Sequence, residues 1–331
     1  MTTRTYTGAH PARWFSRRRW LSQRRYLRYV LIAPAVFVLL MVTIVPFIYT
    51  VNTSLRQVGS RNLRGDWPWV GLGNFQQVLN DPLLWESAWR TLEFVVLVIT
   101  IELILGFLLA LFLVNELPGT RYLRALLLAP MMVTPIVVGL MWKALFKLDG
   151  GMVNNLLSAI GIAPAPWLTS QPLPFFASIP VVGPWLVENL NATYGFLVLV
   201  LIDVWQWTPF VTLVLFSGIV TIPRDIVEAA RVDGASYWRS VRHIILPMLR
   251  NAITVVLLLR VMDALKVFDT VYALFGSAAT HRLMNVHIMT LTFRIRNYGQ
   301  AAAVSILVLI IVLILSRLLM RVFIGKEARE R

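Results

Sequence analysis

A long apolar stretch of the chain carries polar and aromatic side chains at helical spacing. Asp203 and Gln206 are three residues apart, and Trp207 and Phe210 continue the same helical face. Carboxylate and amide groups can bind hydroxyls, and aromatic rings can pack against the C–H face of a sugar. The pattern predicts either a lining that contacts a polyhydroxylated solute, or a packed helix in which Asp203 is paired with Arg260.

A later apolar stretch carries charged residues on two faces. One face contains Arg260, Asp263, Ala264 and Val267. Lys266 and Asp269 lie three residues apart on another face. Ionisable residues inside a bilayer are costly and usually functional. The stretch predicts either a salt-bridged lining of a water-filled path or an internally neutralised structural helix. We interpret Glu93 and Glu102, in an earlier stretch, as packing or interface residues rather than proton carriers.

The composition places these stretches in a membrane. Of the 331 residues, 58% are hydrophobic and only 14% are charged, which is too little polar residue to cover a water-facing surface. Several stretches reach the length of about 20 residues that a spanning helix needs. They are Tyr29–Thr50, Phe94–Val114, Leu123–Phe146, Tyr194–Val220, Ala252–Leu274 and Ala301–Phe323. We expect an all-α polytopic membrane protein with six transmembrane helices.

The distribution of basic residues predicts the orientation. Six spans put both termini on one side, and the segments on that side contain 20 Lys and Arg against 8 on the other. Cytoplasmic loops carry such an excess. Both termini are therefore expected in the cytoplasm, and most of the net charge of +15 is explained without nucleic acid. The predicted domains are a basic cytoplasmic segment 1–28, a six-span domain 29–324 and a cytoplasmic tail 325–331.

The second external loop, about 147–193, contains a Pro-rich stretch at 171–190. Because prolines oppose a helix interior, we interpret it as a re-entrant or interfacial segment. A seventh span there would break the charge bias.

Several kinds of catalytic and metal site are absent from the sequence. There is no Cys, which excludes disulfides and thiolate metal sites, and the four His are not at metal-ligand spacing. No nucleotide-binding loop of the G-x-x-x-x-G-K-[ST] type and no hydrolase motif occurs. We expect no catalytic residues, no metal and no cofactor in this chain.

The cytoplasmic loop 221–251 is the most informative segment. Pro223 suits the first position of a helix, and Asp225 suits its first turn, where the helix dipole favours an acid. Gly234 suits the position just after the helix end. These residues predict a short helix, a turn and a second helix from Ser236 or Tyr237.

This loop also contains a seven-position pattern. Glu228-Ala229-Ala230 is followed by Gly234 after three residues, by Ile244 after nine more, and then by Leu246-Pro247. The pattern resembles the EAA signature of the membrane subunits of bacterial ABC importers. Further similar segments are 71–75, 134–142, 204–210, 232–236 and 266–272, which resemble the carbohydrate-uptake branch and its maltose/glycerol-phosphate permease type. Two departures, Phe275-Gly276-Ser277-Ala278-Ala279 and the Pro-rich insertion, lie on the external side.

The resemblance implies a type I ABC importer permease fold and a role as half of the pathway of an ATP-driven sugar importer in the bacterial inner membrane. It implies that the loop docks on the ATPase through Glu228, Ala229, Ala230, Asp233, Gly234, Ile244, Leu246 and Pro247. It implies substrate contacts at Asp203, Gln206, Trp207, Phe210, Arg260, Asp263, Ala264 and Val267. The implied partners are a second homologous permease, a cytoplasmic ATPase dimer that binds ATP and Mg, and an extracytoplasmic solute-binding protein.

Two other classes of protein compete with this interpretation. An ion-coupled secondary transporter would explain the charged residues in the spans but not the seven-position pattern. A membrane scaffold without transport activity would explain neither feature.

Overall fold

The computed structural model describes residues 17–63, 65–115, 120–177, 179, 187, 191–276 and 283–323. These residues are mostly helical, with isolated β-bridges in place of strands. The predicted tail 325–331 and most of the Pro-rich stretch 171–190 lie outside the described residues. The chain divides into two compact units, Met1–Asn52 and Thr53–Arg331.

The first unit contains most of α1 (Arg17–Ser54). The helix begins at Arg17, inside the predicted basic segment 1–28. The last basic residues of this segment therefore lengthen the helix that contains the first span. Its apolar part, Tyr29–Ser54, is 26 residues long, and a bilayer core requires about 20.

The second unit contains the remaining helices. They are α2 (Gly73–Leu79), α3 (Pro82–Val114), α4 (Thr120–Leu128), α5 (Pro135–Leu145), α6 (Met152–Ala159), α7 (Pro174–Ala177), α8 (Tyr194–Val220), α9 (Arg224–Val232), α10 (Tyr237–Met248), α11 (Arg250–Ala264), α12 (Asp269–Phe275), α13 (Met284–Met289) and α14 (Tyr298–Phe323). Turns of π-helix lie within α10 and directly after α13.

Length and apolar composition identify the candidate spans among the described residues. Four single helices are long enough, namely Tyr29–Ser54, Pro82–Val114, Tyr194–Val220 and Tyr298–Arg321. Two bent pairs also qualify if each crosses as one span, namely Tyr122–Met132 with Pro135–Leu145, and Tyr237–Met248 with Arg250–Ala264. The prediction of six spans is met when each bent pair is counted once.

The predicted span Leu123–Phe146 is not one continuous helix. It bends by 97° between Met132 and Pro135. A residue before proline is pushed out of the helical region, and Thr134 has an extended backbone with ψ of 140°. Pro135 then begins α5, where its missing N–H has no helical partner to lose.

The predicted span Ala252–Leu274 is wrong in its boundaries. The helix ends at Ala264, and a separate helix, α12, begins at Asp269. The break turns α12 onto α5, where a Cβ on Gly139 would lie only 2.6 Å from the Cβ of Ala273. Apolar composition alone suggested that the helix would continue straight to Leu274. Instead, α12 packs closely against Gly139.

Helix α11 qualifies as a span only together with α10, and the two helices bend by 64°. Sequence analysis placed α10 in the cytoplasmic loop 221–251. Pro247 is the second-to-last residue of α10 and has no backbone N–H for a helical hydrogen bond.

The core of the second unit is centred on α3 and α8. Phe94 of α3 meets Phe196 of α8 edge-on, with ring centroids 6.4 Å apart. Both residues are buried with Val98, Leu199 and Ile202 in one apolar cluster. This packing holds the two helices side by side and so positions the polar groups halfway along them.

Candidate functional site

A buried cluster of charges joins three helices. The Nε of Arg260, in α11, donates to Oε2 of Glu102 in α3 at 2.6 Å, and its Nη2 donates to Oε1 at 2.7 Å. The same Nη2 donates to Oδ2 of Asp203 in α8 at 2.5 Å. The side chains of Arg260, Glu102 and Asp203 are 1%, 0% and 7% exposed. Because an unpaired buried charge is very unfavourable, this cluster fixes the three helices together.

The cluster contains the Asp203–Arg260 pair that sequence analysis considered as one of two alternatives. The cluster also contains Glu102, which sequence analysis interpreted as a packing or interface residue. Its hydrogen bonds to Arg260 hold α3 against α11, which is a packing role. The signal for its partner was present in the sequence. A lone acid in an apolar span needs a basic partner, and Arg260 is an arginine in another span.

The polar stripe of α8 divides into two parts. Asp203 is held by Arg260, and Gln206 is buried with its Nε2 donating to the carbonyl of Val133 at 3.0 Å. Trp207 and Phe210 are half-buried, and their rings meet edge-on at 6.5 Å. The buried polar groups are therefore occupied within the protein, whereas the two aromatic rings keep part of their surface accessible.

Arg260 connects the charge cluster to the aromatic pair. Its guanidinium carbon lies 4.9 Å from the centre of the Trp207 ring, within the range of a cation–π interaction. The charge cluster therefore also orients Trp207.

The predicted residues of α11 are placed in different environments. Ala264 is buried, while Val267 is half-buried in the break that follows the helix. Asp263 is 50% exposed and lies 3.9 Å from Lys266, which is 55% exposed. Lys266 is thus paired with Asp263, and not with Asp269 as its spacing also allowed.

A second candidate site is the coupling segment, which we define as residues 223–235. No residue of α9 is buried. The N–H of Ala235 donates to the carbonyl of Ala230 at 2.9 Å, and the N–H of Gly234 donates to that of Arg231 at 3.0 Å. This pair of hydrogen bonds is a Schellman motif, and Gly234 has the positive φ of 82° that it requires. Gly234 was predicted to follow the end of the helix, and this position is confirmed. The predicted second helix is also confirmed and begins at Tyr237.

The motif residues form a surface and not a core. Exposed members are Glu228, Ala229, Asp233, Gly234, Leu246 and Pro247, and half-buried members are Ala230 and Ile244. A short helix of this kind is marginal alone in water, and its packing against its own protein is limited. The arrangement is suited to contact with another molecule.

No group of three or more His, Cys, Asp or Glu side chains within the described ranges could hold a metal ion.

Comparisons with known proteins identify the class. The family model described as binding-protein-dependent transport system inner membrane component matches residues 94–329. The chain is 33% identical to the trehalose/maltose transport system permease protein of Thermococcus litoralis, over 92% of this chain and 95% of that protein. It is 31% identical to the trehalose transport system permease protein of Mycobacterium tuberculosis, over 93% and 92%.

The fold has solved counterparts. A bacterial ABC transporter involved in the import of the acidic polysaccharide alginate matches with a TM-score of 0.73 and 23% identity, over 92% of this chain and 99% of that chain. The family match and the two relatives show that the chain is a multi-pass transport permease and not an enzyme. It belongs to the family of binding-protein-dependent transport system inner membrane components, as its motif predicted.

Proposed function

We propose that this permease imports a carbohydrate, driven by ATP that a separate ATPase subunit hydrolyses. The relatives from Thermococcus litoralis and Mycobacterium tuberculosis are named for trehalose or maltose, and a lactose transport system permease protein of Rhizobium radiobacter is 28% identical over 88% of this chain. Disaccharides are thus the substrate class that these names favour.

The observation that carries the proposed coupling is that no residue of the coupling segment is buried and most of its residues are exposed. Its Schellman motif holds the end of α9 rigid, and Ala229 offers little bulk, so that a partner can approach the backbone. The ATPase would bind here, through Glu228, Ala229, Ala230, Asp233 and Gly234. Its ATP and Mg would be bound outside this chain.

The proposed solute pathway runs past the accessible part of the predicted site. Trp207, Phe210 and Val267 present half-buried apolar surface, and Asp263 presents an exposed carboxylate. The buried members, Asp203, Gln206, Arg260 and Ala264, would support these contacts from behind. Ring faces suit the C–H faces of a sugar, and a carboxylate suits its hydroxyls.

The remaining partners follow from this role. A single permease would provide half of a two-fold cavity, and a second homologous permease would complete it. An extracytoplasmic solute-binding protein would deliver the sugar, and both termini would lie in the cytoplasm. Closure of the ATPase dimer would move the coupling segments and turn the cavity from one side of the membrane to the other.

The test is purification of the tagged chain from its native host in mild detergent, with mass spectrometry of co-purifying chains. A second permease and an ATPase should be recovered, and a panel of disaccharides should stimulate ATP hydrolysis. Glu228→Arg should abolish recovery of the ATPase. The control Glu86→Arg makes the same charge reversal at an exposed position of α3 and should retain it.

Recovery of the chain alone, with transport driven by an ion gradient after reconstitution, would replace the proposal with a secondary transporter.

A further inference from the structure

A basic cleft lies between the ends of two spanning helices and the coupling segment. Its volume is about 350 Å³. It is bordered by the last turns of α3 and α8, by Arg124 of α4, and by the start of α10. Among the described residues, its polar lining consists of Asn115, Arg124, Arg224, Glu228, Arg231, Tyr237 and Ser240. Three arginines against one glutamate in this lining give the cleft a positive potential that favours an anion.

Arg124 is fixed in this cleft but not fully satisfied. Its guanidinium carbon lies 4.4 Å from the centre of the Phe216 ring, and its Nη2 donates to the carbonyl of Leu113 at 3.2 Å. Its Nε is buried and has no hydrogen-bond partner among the described residues. An unsatisfied buried donor is destabilising, so an acceptor from outside the protein would be bound favourably here.

Ser240 supplies a second group of the same kind. The residue is 3% exposed, and its Oγ is buried without a hydrogen-bond partner in the part of the chain that the structure describes. The hydroxyl hydrogen turns about the Cβ–Oγ bond and can be donated to an anionic oxygen. Two unpartnered polar atoms in residues lining one basic cleft are an independent indication of a ligand.

The location and walls of the cleft indicate the source of that ligand. Helices α3 and α8 are candidate spans that end at Val114 and Val220, and a bilayer around them would place the cleft at the level of its headgroups. Leu111, Val114 and Val220 give the cleft an apolar wall at the ends of these helices. Basic pockets between spanning helices on the cytoplasmic side bind anionic headgroups, because they neutralise the phosphate while the acyl chains remain in lipid.

We propose that this cleft binds the phosphate of an anionic phospholipid, with Arg124 and Ser240 as its principal ligands. Glu228 and Arg231 of the coupling segment line the same cleft. A bound headgroup would therefore connect the coupling segment to the ends of α3 and α8. The inference requires only that the chain spans the membrane with this end in the cytoplasm. It does not depend on the transported solute.

The experiment uses the tagged complex reconstituted in nanodiscs of phosphatidylcholine, either alone or mixed with phosphatidylglycerol. After transfer to detergent, native mass spectrometry counts the retained phosphatidylglycerol, and basal ATP hydrolysis is measured in parallel. Wild type should retain the lipid and hydrolyse ATP at a different rate with and without it. Arg124→Gln and Ser240→Ala should each lower retention about tenfold, because each removes a hydrogen bond to a charged group.

The matched control is Arg242→Gln, an exposed arginine of α10 outside the cleft lining. It removes the same charge and should retain the lipid. Arg124→Gln could be replaced in this test by Ser240→Ala if the arginine variant does not fold. Ser240→Ala removes a single oxygen and so should disturb the fold less.

Four results would overturn the proposal. The first is no retained phosphatidylglycerol in wild type, and the second is equal loss in Arg242→Gln. The third is displacement of the lipid by millimolar inorganic phosphate, which would assign the cleft to free phosphate instead. Loss of the ATPase from Arg124→Gln with unchanged lipid retention would show that the ATPase occupies the cleft, and would also contradict the proposal.

Discussion

The charge cluster and the coupling segment place polar groups in opposite environments. In the cluster, Glu102, Asp203 and Arg260 are buried and satisfy one another across three helices. In the coupling segment no residue is buried, and backbone hydrogen bonds close the end of its helix. The cluster is complete within this chain, whereas the segment lacks a partner surface. Substitutions in the first should therefore affect folding, and those in the second should affect assembly.

The largest expected effect is that of Arg260→Met. It leaves two carboxylates buried without their cation, and breaking a buried ion pair on one side costs about 3–5 kcal/mol. The variant should lose most of its folded fraction in detergent, measured as the monodisperse peak in size-exclusion chromatography after heating. Lys266→Met, at an exposed position just after the same helix, is the control and should behave as wild type. Equal behaviour of the two variants would refute the structural role of the cluster.

A smaller effect is expected from Gly234→Val. The φ of 82° at this position disfavours a side chain by about 1–2 kcal/mol, and a β-branched residue is particularly unsuited to it. The space around Gly234 is open, so backbone strain is the only penalty. The end of α9 should be remodelled, and solute-stimulated ATP hydrolysis should fall several-fold while the spans remain folded.

Gly161→Val is the matched control for this prediction. Gly161 has a φ of 79° and equally open surroundings, but it lies outside the coupling segment. Its substitution should produce similar strain without loss of coupling. If both glycine variants lose solute-stimulated ATP hydrolysis, the effect is not specific to the coupling segment and the prediction is contradicted.

Ala229→Leu tests the approach of a partner to α9. Because Ala229 is exposed, the added bulk can extend into solvent, and the melting temperature should not change. Recovery of the ATPase with the tagged chain should fall several-fold. Ala125→Leu makes the same change at an exposed position of α4 and should leave recovery unchanged. A lower melting temperature for Ala229→Leu would mean that the segment packs on its own protein.

The smallest effect on stability is expected from Asp263→Asn. Exposed ion pairs such as the one with Lys266 contribute about 0–1 kcal/mol, so the melting temperature should be nearly unchanged. The KM for the transported sugar should rise if Asp263 contacts it. An unchanged KM would remove Asp263 from the proposed pathway.

The two regions also differ in how far the sequence predicts them. The end of α9 depends on neighbours within six residues, so a glycine and a motif were sufficient to place it. The spans follow from composition, which a bilayer constrains strongly. The pre-proline break at Thr134 had a local signal that outweighs the apolar composition around it.

Tertiary packing determines what local signals could not reveal. The pairing of Glu102 with Arg260 joins residues 158 positions apart. The break after Ala264 has no proline or glycine nearby, and its cause is the packing of α12 on Gly139. The hydrogen bond that satisfies Gln206 likewise depends on tertiary structure. It is accepted by the carbonyl of Val133, which is available because the chain bends there.

Site-specific crosslinking from the coupling segment tests the account most directly. The chain contains no cysteine, so Ala229→Cys introduces a unique thiol for a short bifunctional reagent. In native membranes, the account predicts a crosslink between this thiol and the ATPase subunit, which ATP should strengthen or weaken, and no such product from Ala125→Cys. A thiol at Ala229 that forms no crosslink to any ATPase, in a chain that still transports its solute, would contradict the account.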